Sequence, residues 1–119
     1  MSEFNDDRAK KRRINRERKK LKAIFAEMPS NDFSLVEPLL QNAAFMKIVL
    51  EDLQSAILIE GATDEYQNGE NQKGTKASAN LQAYNTTFKN FHATIMKLLE
   101  RLPKESESRS KLAKFMEIG

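Results

Sequence analysis

Cysteine and tryptophan are absent from this 119-residue chain, which also has only one histidine, three prolines and four glycines. Without cysteine there can be no disulfide, no thiolate nucleophile and no cysteine-ligated zinc. A single histidine, His92, rules out a two-histidine metal site and leaves a Ser-His relay without support. So few glycines and prolines leave too little turn material for an all-β fold. Uninterrupted apolar runs stop at four residues, as in Ala43 to Met46 and Ala56 to Ile59. A membrane span needs about 20, so no membrane crossing is expected. The N-terminus is charged from Asp6 onward and has no apolar run, unlike a secretory signal peptide, so a cytoplasmic location is expected.

Phosphate-cradling and acid–base signals are equally sparse. Gly69 and Gly74 flank a polar stretch, but no Gly-Lys-Ser/Thr opens a helix. The carboxylate pairs Glu51-Asp52 and Asp64-Glu65 are chain neighbours. On a helix, neighbours diverge by about 100° and share neither a metal nor a proton. The expectation is a protein that is not an enzyme, with no catalytic residue, no metal and no cofactor.

What the chain does have is charge, unevenly distributed. Its net charge is +3, yet residues 1–23 hold ten cations, Arg8, Lys10, Lys11, Arg12, Arg13, Arg16, Arg18, Lys19, Lys20 and Lys22. Only Glu3, Asp6, Asp7 and Glu17 oppose them, which makes the segment +6 and the remainder −3. A basic arm on an acidic body points to a polyanion, so the ten cations are the candidate DNA-binding residues. At 100° per residue they surround the helix rather than form one stripe. The arm has no apolar face to insert into a lipid surface, so no membrane partner is expected. The bland alternative is a solvated terminus kept charged for solubility.

Periodicity supplies the architecture. Residues 6–28 predict a helix whose second half packs, since Leu21, Ile24, Phe25 and Met28 lie on one face. Pro29-Ser30-Asn31-Asp32 breaks it, and Ser34 with Glu37 fits a capping box opening a second helix that ends at Gly61. Pro38 then falls near its first turn, where proline is tolerated. This helix is apolar nearly all round, more than so short a chain can cover, and self-association would supply the rest. Residues 61–76 form a polar connector with a turn signal at Asn68-Gly69, compatible with a short hairpin anchored by Tyr66.

The third helix, 77–102, carries Leu81, Tyr84, Phe88, Phe91, Ile95, Leu98 and Leu102 at alternating spacings of three and four. That stripe demands a partner helix, either the second helix or a second subunit. His92 falls at its edge. A polar tail, 104–119, ends in a short amphipathic stretch with Leu112, Phe115, Met116 and Ile118. The expected fold is all-α, a long antiparallel helical hairpin within 29–103 that oligomerises through helix packing, preceded by the basic helix 1–28. A leucine zipper over Ile14, Leu21, Met28 and Leu35 fails because Pro29 breaks the register, and no pair of short helices suits a helix-turn-helix.

Several segments together carry a family resemblance: Arg13-Ile14-Asn15-Arg16-Glu17, Asn42-Ala43-Ala44-Phe45-Met46, Leu50-Glu51-Asp52-Leu53-Gln54, the polar run Glu65 to Gln72, Tyr84-Asn85-Thr86-Thr87, and Leu98-Leu99-Glu100-Arg101-Leu102-Pro103-Lys104. Over residues 14–103 the chain resembles the terminase small subunits of phages and prophages of Gram-positive bacteria. The resemblance implies a non-catalytic subunit in the cytoplasm of a bacterial host cell. It implies that the subunit binds double-stranded viral DNA during genome packaging and forms a homo-oligomer. It also implies recruitment of the terminase large subunit, the ATPase and nuclease. Many members carry an N-terminal helix-turn-helix, in place of which this chain has a basic helix. The tail from Ser106 is the expected contact with the large subunit. The alternative is a helical protein-interaction module whose arm binds RNA or an acidic protein.

Overall fold

The computed structural model describes the backbone of residues 3–67 and 73–118. Among the described residues four helices and one two-stranded ribbon follow in chain order: α1 (Glu3–Ile24), α2 (Ser30–Glu60), β1 (Thr63–Gln67), β2 (Lys73–Ala77), α3 (Ala79–Leu99) and α4 (Glu107–Phe115). The molecule is predominantly helical, as expected. α2 packs against both α1 and α3, and α4 packs against α1 and α3.

Each boundary has a local cause. α1 tightens at its end, where the Phe25 amide donates to both Leu21 O (3.3 Å) and Lys22 O (3.2 Å), so it stops at Ile24 rather than Met28. α2 begins four residues before the expected capping box. Pro29 takes the N-cap position, its carbonyl receiving the Phe33 amide at 2.8 Å. Ser34 is therefore inside the helix and donates its hydroxyl to Asn31 O (2.8 Å) instead of capping. Pro38 is likewise internal rather than near the first turn. Lacking an N–H, it leaves the Ser34 carbonyl without a helical donor. Gly61 ends α2 as expected, at φ 90°, with its amide on Ile57 O (2.8 Å).

The connector is an antiparallel ribbon in which Thr63 pairs with Ala77 and Gln67 with Lys73. The expected Asn68-Gly69 turn, and Tyr66 as a side-chain anchor, lie outside the described residues. Ser78 closes the base of the ribbon through its amide on Ala62 O (2.9 Å) and caps α3 by accepting the Leu81 amide on its hydroxyl (2.9 Å). This cap starts α3 at Ala79.

The heptad stripe of α3 is graded along its length. Phe91, Ile95 and Leu98 are buried, as is Leu102, which lies beyond the end of α3 at Leu99 rather than within the helix as expected; Leu81 and Tyr84 are half-buried, and Phe88 is exposed, stacked between Tyr84 and His92. The core lies at the base, where Leu21, Phe25, Leu40, Leu50, Phe91 and Leu112 are fully buried. The tail is not a free segment over residues 107–115. It folds back as α4, placing Leu112 and Phe115 in the core, with Arg109 Nη1 donating to Leu99 O and Leu102 O (both 3.4 Å) at the open end of α3.

The result is a plate of 64 × 36 × 21 Å with a radius of gyration of 18.1 Å. A compact chain of this length has a radius near 13–14 Å. Helices are about 10 Å thick, so the short axis holds two layers at most. By length and composition alone α2 could cross a membrane, although 44% of its most apolar 18-residue window is already buried within the fold.

Candidate nucleic-acid interface

α1 is held to α2 by its inward side, and that attachment sorts the ten cations of the arm. Arg13 reaches across to α2, donating from Nη1 to Asp52 Oδ1 at 2.8 Å and from Nη2 to Glu51 Oε1 at 3.3 Å. The bond to Asp52 raises the Arg13 guanidinium above its ordinary value against the opposing pull of burial. Lys10 approaches the same Asp52 at 4.0 Å. One turn further along, Glu17 is buried and pairs with Lys47 of α2 at 3.1 Å and Lys20 at 2.9 Å. Burial alone would raise the Glu17 carboxyl, but the two lysines outweigh it and hold it below the ordinary value.

Lys47 is the residue that periodicity did not single out. It sits within the most apolar helix of the chain, with only 8% of its surface exposed. Its ammonium donates to Phe115 O at 2.8 Å and lies 4.3 Å from the centre of the Phe115 ring. One cation therefore ties α1, α2 and α4 together. Its sole sequence signal is a lysine on the buried side of a helix, with an acidic residue on the neighbouring helix.

The other cations turn outward. Arg8, Lys11, Arg12, Arg16, Lys19, Lys20 and Lys22 are exposed and Arg18 is half-buried. Lys11 pairs with Asp7 at 3.1 Å within α1, and Lys22 lies over the Phe33 ring at 5.7 Å. On the helical wheel the packing side centres on Glu17, Leu21 and Ile24. Arg8, Arg12, Arg16, Lys19 and Lys22 occupy the opposite side at spacings of three and four, a ridge about 21 Å long. The arm is thus an oriented surface with one charged side bound into the fold, not a helix charged equally all round.

α4 adds cations beside this ridge. Lys111 and Lys114 help line a cavity of about 510 Å³ together with Lys20, Ala23, Ile24, Lys47 and Phe115. Among the described residues no three histidine, aspartate or glutamate side chains converge as a metal site. His92 is exposed on α3. Compared with protein-family models, curated proteins and solved structures, the chain matches none.

Proposed function

We propose that this protein is a non-catalytic, double-stranded-DNA-binding small subunit of a phage packaging terminase, which holds viral DNA as a homo-oligomer and recruits the large subunit. The observation that carries the reading is the outward ridge of Arg8, Arg12, Arg16, Lys19 and Lys22 on a helix whose opposite side is clamped to α2. A clamped helix presents its cations in fixed register, so phosphate contacts cost little further ordering of the backbone. The resemblance over residues 14–103 supplies the packaging context.

Five phosphate contacts per chain would lower affinity about 500-fold between 50 and 200 mM salt, since each contributes a slope of roughly 0.9. The test is fluorescence anisotropy of a labelled duplex across that salt range. Wild-type protein is expected to bind with that slope. Arg12→Gln, Arg16→Gln and Lys19→Gln together are expected to reduce it by about 2.7. Duplex affinity independent of salt, or a stronger preference for RNA or an acidic protein, would move the reading to a protein-interaction module.

A further inference from the structure

Four lysines from three helices, Lys20 of α1, Lys47 of α2 and Lys111 and Lys114 of α4, line one cavity of about 510 Å³. That volume is in the range of small-ligand sites. Lys111 and Lys114 are three residues apart on α4 and so are neighbours on one face of it. Both are exposed, and neither makes an ion pair among the described residues. Lys20 and Lys47 share the single carboxylate of Glu17, at 2.9 and 3.1 Å. Four ammonium groups against one carboxylate leave the cavity three positive charges in excess. Lys47 is only 8% exposed and is held by the Phe115 carbonyl at 2.8 Å, so one of these charges is built into the fold.

The lining selects among ligands. A lysine ammonium has three donors and no acceptor, and the remaining lining residues, Ala23, Ile24 and Phe115, bring no polar side-chain atom. A site made of donors suits a ligand made of acceptors. An acidic peptide would bring backbone N–H groups that this lining leaves without a side-chain acceptor. A phosphate monoester cancels at most about two of the three charges. A chain of three phosphates carries enough charge to cancel them all. A duplex backbone is convex and brings its phosphates to a concave site one at a time, whereas a polyphosphate chain can place several oxygens inside it.

We propose that the cavity lined by α1, α2 and α4 binds a compact polyphosphate, with Lys111, Lys114 and Lys20 on the phosphate oxygens and Lys47 as the fixed charge behind them. The chemistry recognised is the triphosphate chain, whether inorganic or carried by a nucleoside. The site stands apart from the DNA reading, since Arg12, Arg16 and Lys19 of the ridge do not line the cavity.

Isothermal titration calorimetry of the full chain with sodium tripolyphosphate, and separately with ATP, tests this. Wild-type protein is expected to bind one tripolyphosphate per chain. Lys111→Gln/Lys114→Gln, with helix content checked by circular dichroism, is expected to weaken that binding about tenfold through two lost charge-assisted contacts. Lys89→Gln/Lys97→Gln removes the same charge from exposed positions on α3 and is expected to leave binding nearly unchanged. Equal affinity for ATP would assign recognition to the phosphate chain alone, and tighter ATP binding would add a nucleoside contact with Ala23 and Ile24. The proposal is overturned if wild-type protein takes up neither probe at millimolar concentration. It is also overturned if the α3 pair weakens binding as much as the α4 pair, which would mark an effect of net charge. Arg12→Gln/Arg16→Gln/Lys19→Gln is expected to lose duplex affinity and keep tripolyphosphate. A chain that binds duplex but no polyphosphate would sink this site and leave the DNA reading standing.

Discussion

Lys47 interrupts the most apolar helix of the chain, and its surroundings explain why a charge is tolerated there. The carboxylate of Glu17 and the carbonyl and ring of Phe115 surround its ammonium, and Lys20 pairs with the same carboxylate. Removing one partner of a buried ion pair leaves the other charge without compensation, whereas removing both is far milder. Lys47→Met should therefore cost about 3 kcal/mol in urea unfolding, and Glu17→Leu added to it should recover most of that loss. A double variant no more stable than the single one would refute the network. The folded-state Glu17 carboxyl titrates below its unfolded value of 4.5. Its contribution is thus fully present above about pH 4.5 and is lost as pH falls through the folded value. Acid titration of stability should show a smaller loss in Glu17→Gln than in wild type. Gly61, at φ 90° with open space around its α-carbon, is a purely conformational site. Gly61→Ala should cost about 1 kcal/mol although nothing is touched by the added methyl.

At the scale of elements, α1 and α4 divide the charge between structure and surface. α1 gives Arg13 and Glu17 to the packing against α2 and keeps its ridge for solvent. The ridge cations are exposed, so the triple glutamine variant should melt within a few degrees of wild type while losing DNA affinity. A large drop in melting temperature would mean that the ridge is structural. α4 behaves in the opposite way. Leu112 is fully buried and the Phe115 ring lies 6.4 Å from that of Phe91, tilted by 39°, so the tail is part of the core. Leu112→Ala should cost about 3 kcal/mol in chemical unfolding. For the same reason, deleting residues 104–119 would test the integrity of the base before it tested any contact with a large subunit.

For the whole molecule, the plate shape leaves much apolar surface in water, with Leu35, Phe45, Leu58 and Ile59 all at least half exposed. A fold that completes its burial by pairing gains stability by mass action. Its melting temperature should therefore rise with protein concentration, which differential scanning calorimetry over a dilution series measures directly. A melting temperature flat over that series would argue for a self-sufficient monomer.

The helices were legible from the sequence because their causes are local. Helix-forming residues without interruption, Pro29 as a break and Gly61 as a stop act through nearest neighbours. The start of α2 was misread because Ser34 and Glu37 match a capping box by spacing alone. Whether such a box forms depends on where the first turn begins, and Pro29 begins it earlier. The strand pairing of the connector was only half legible, since polar residues such as Thr63 and Lys76 pair through backbone bonds rather than through an apolar pattern.

What the sequence determined by itself is the helical class, the order of elements and the basic arm, all set by composition and short-range spacing. Only the tertiary structure decided which cations face outward, because a long arginine or lysine has several carboxylates within reach and packing selects among them. Arg13 was claimed by Asp52 and Glu51, and Lys47 by Glu17, while Arg12, Arg16 and Lys19 are exposed on the outward side of α1. It also decided that α4 belongs to the core and that one side of α2 stays bare, since both follow from how four helices of unequal length can cover one another.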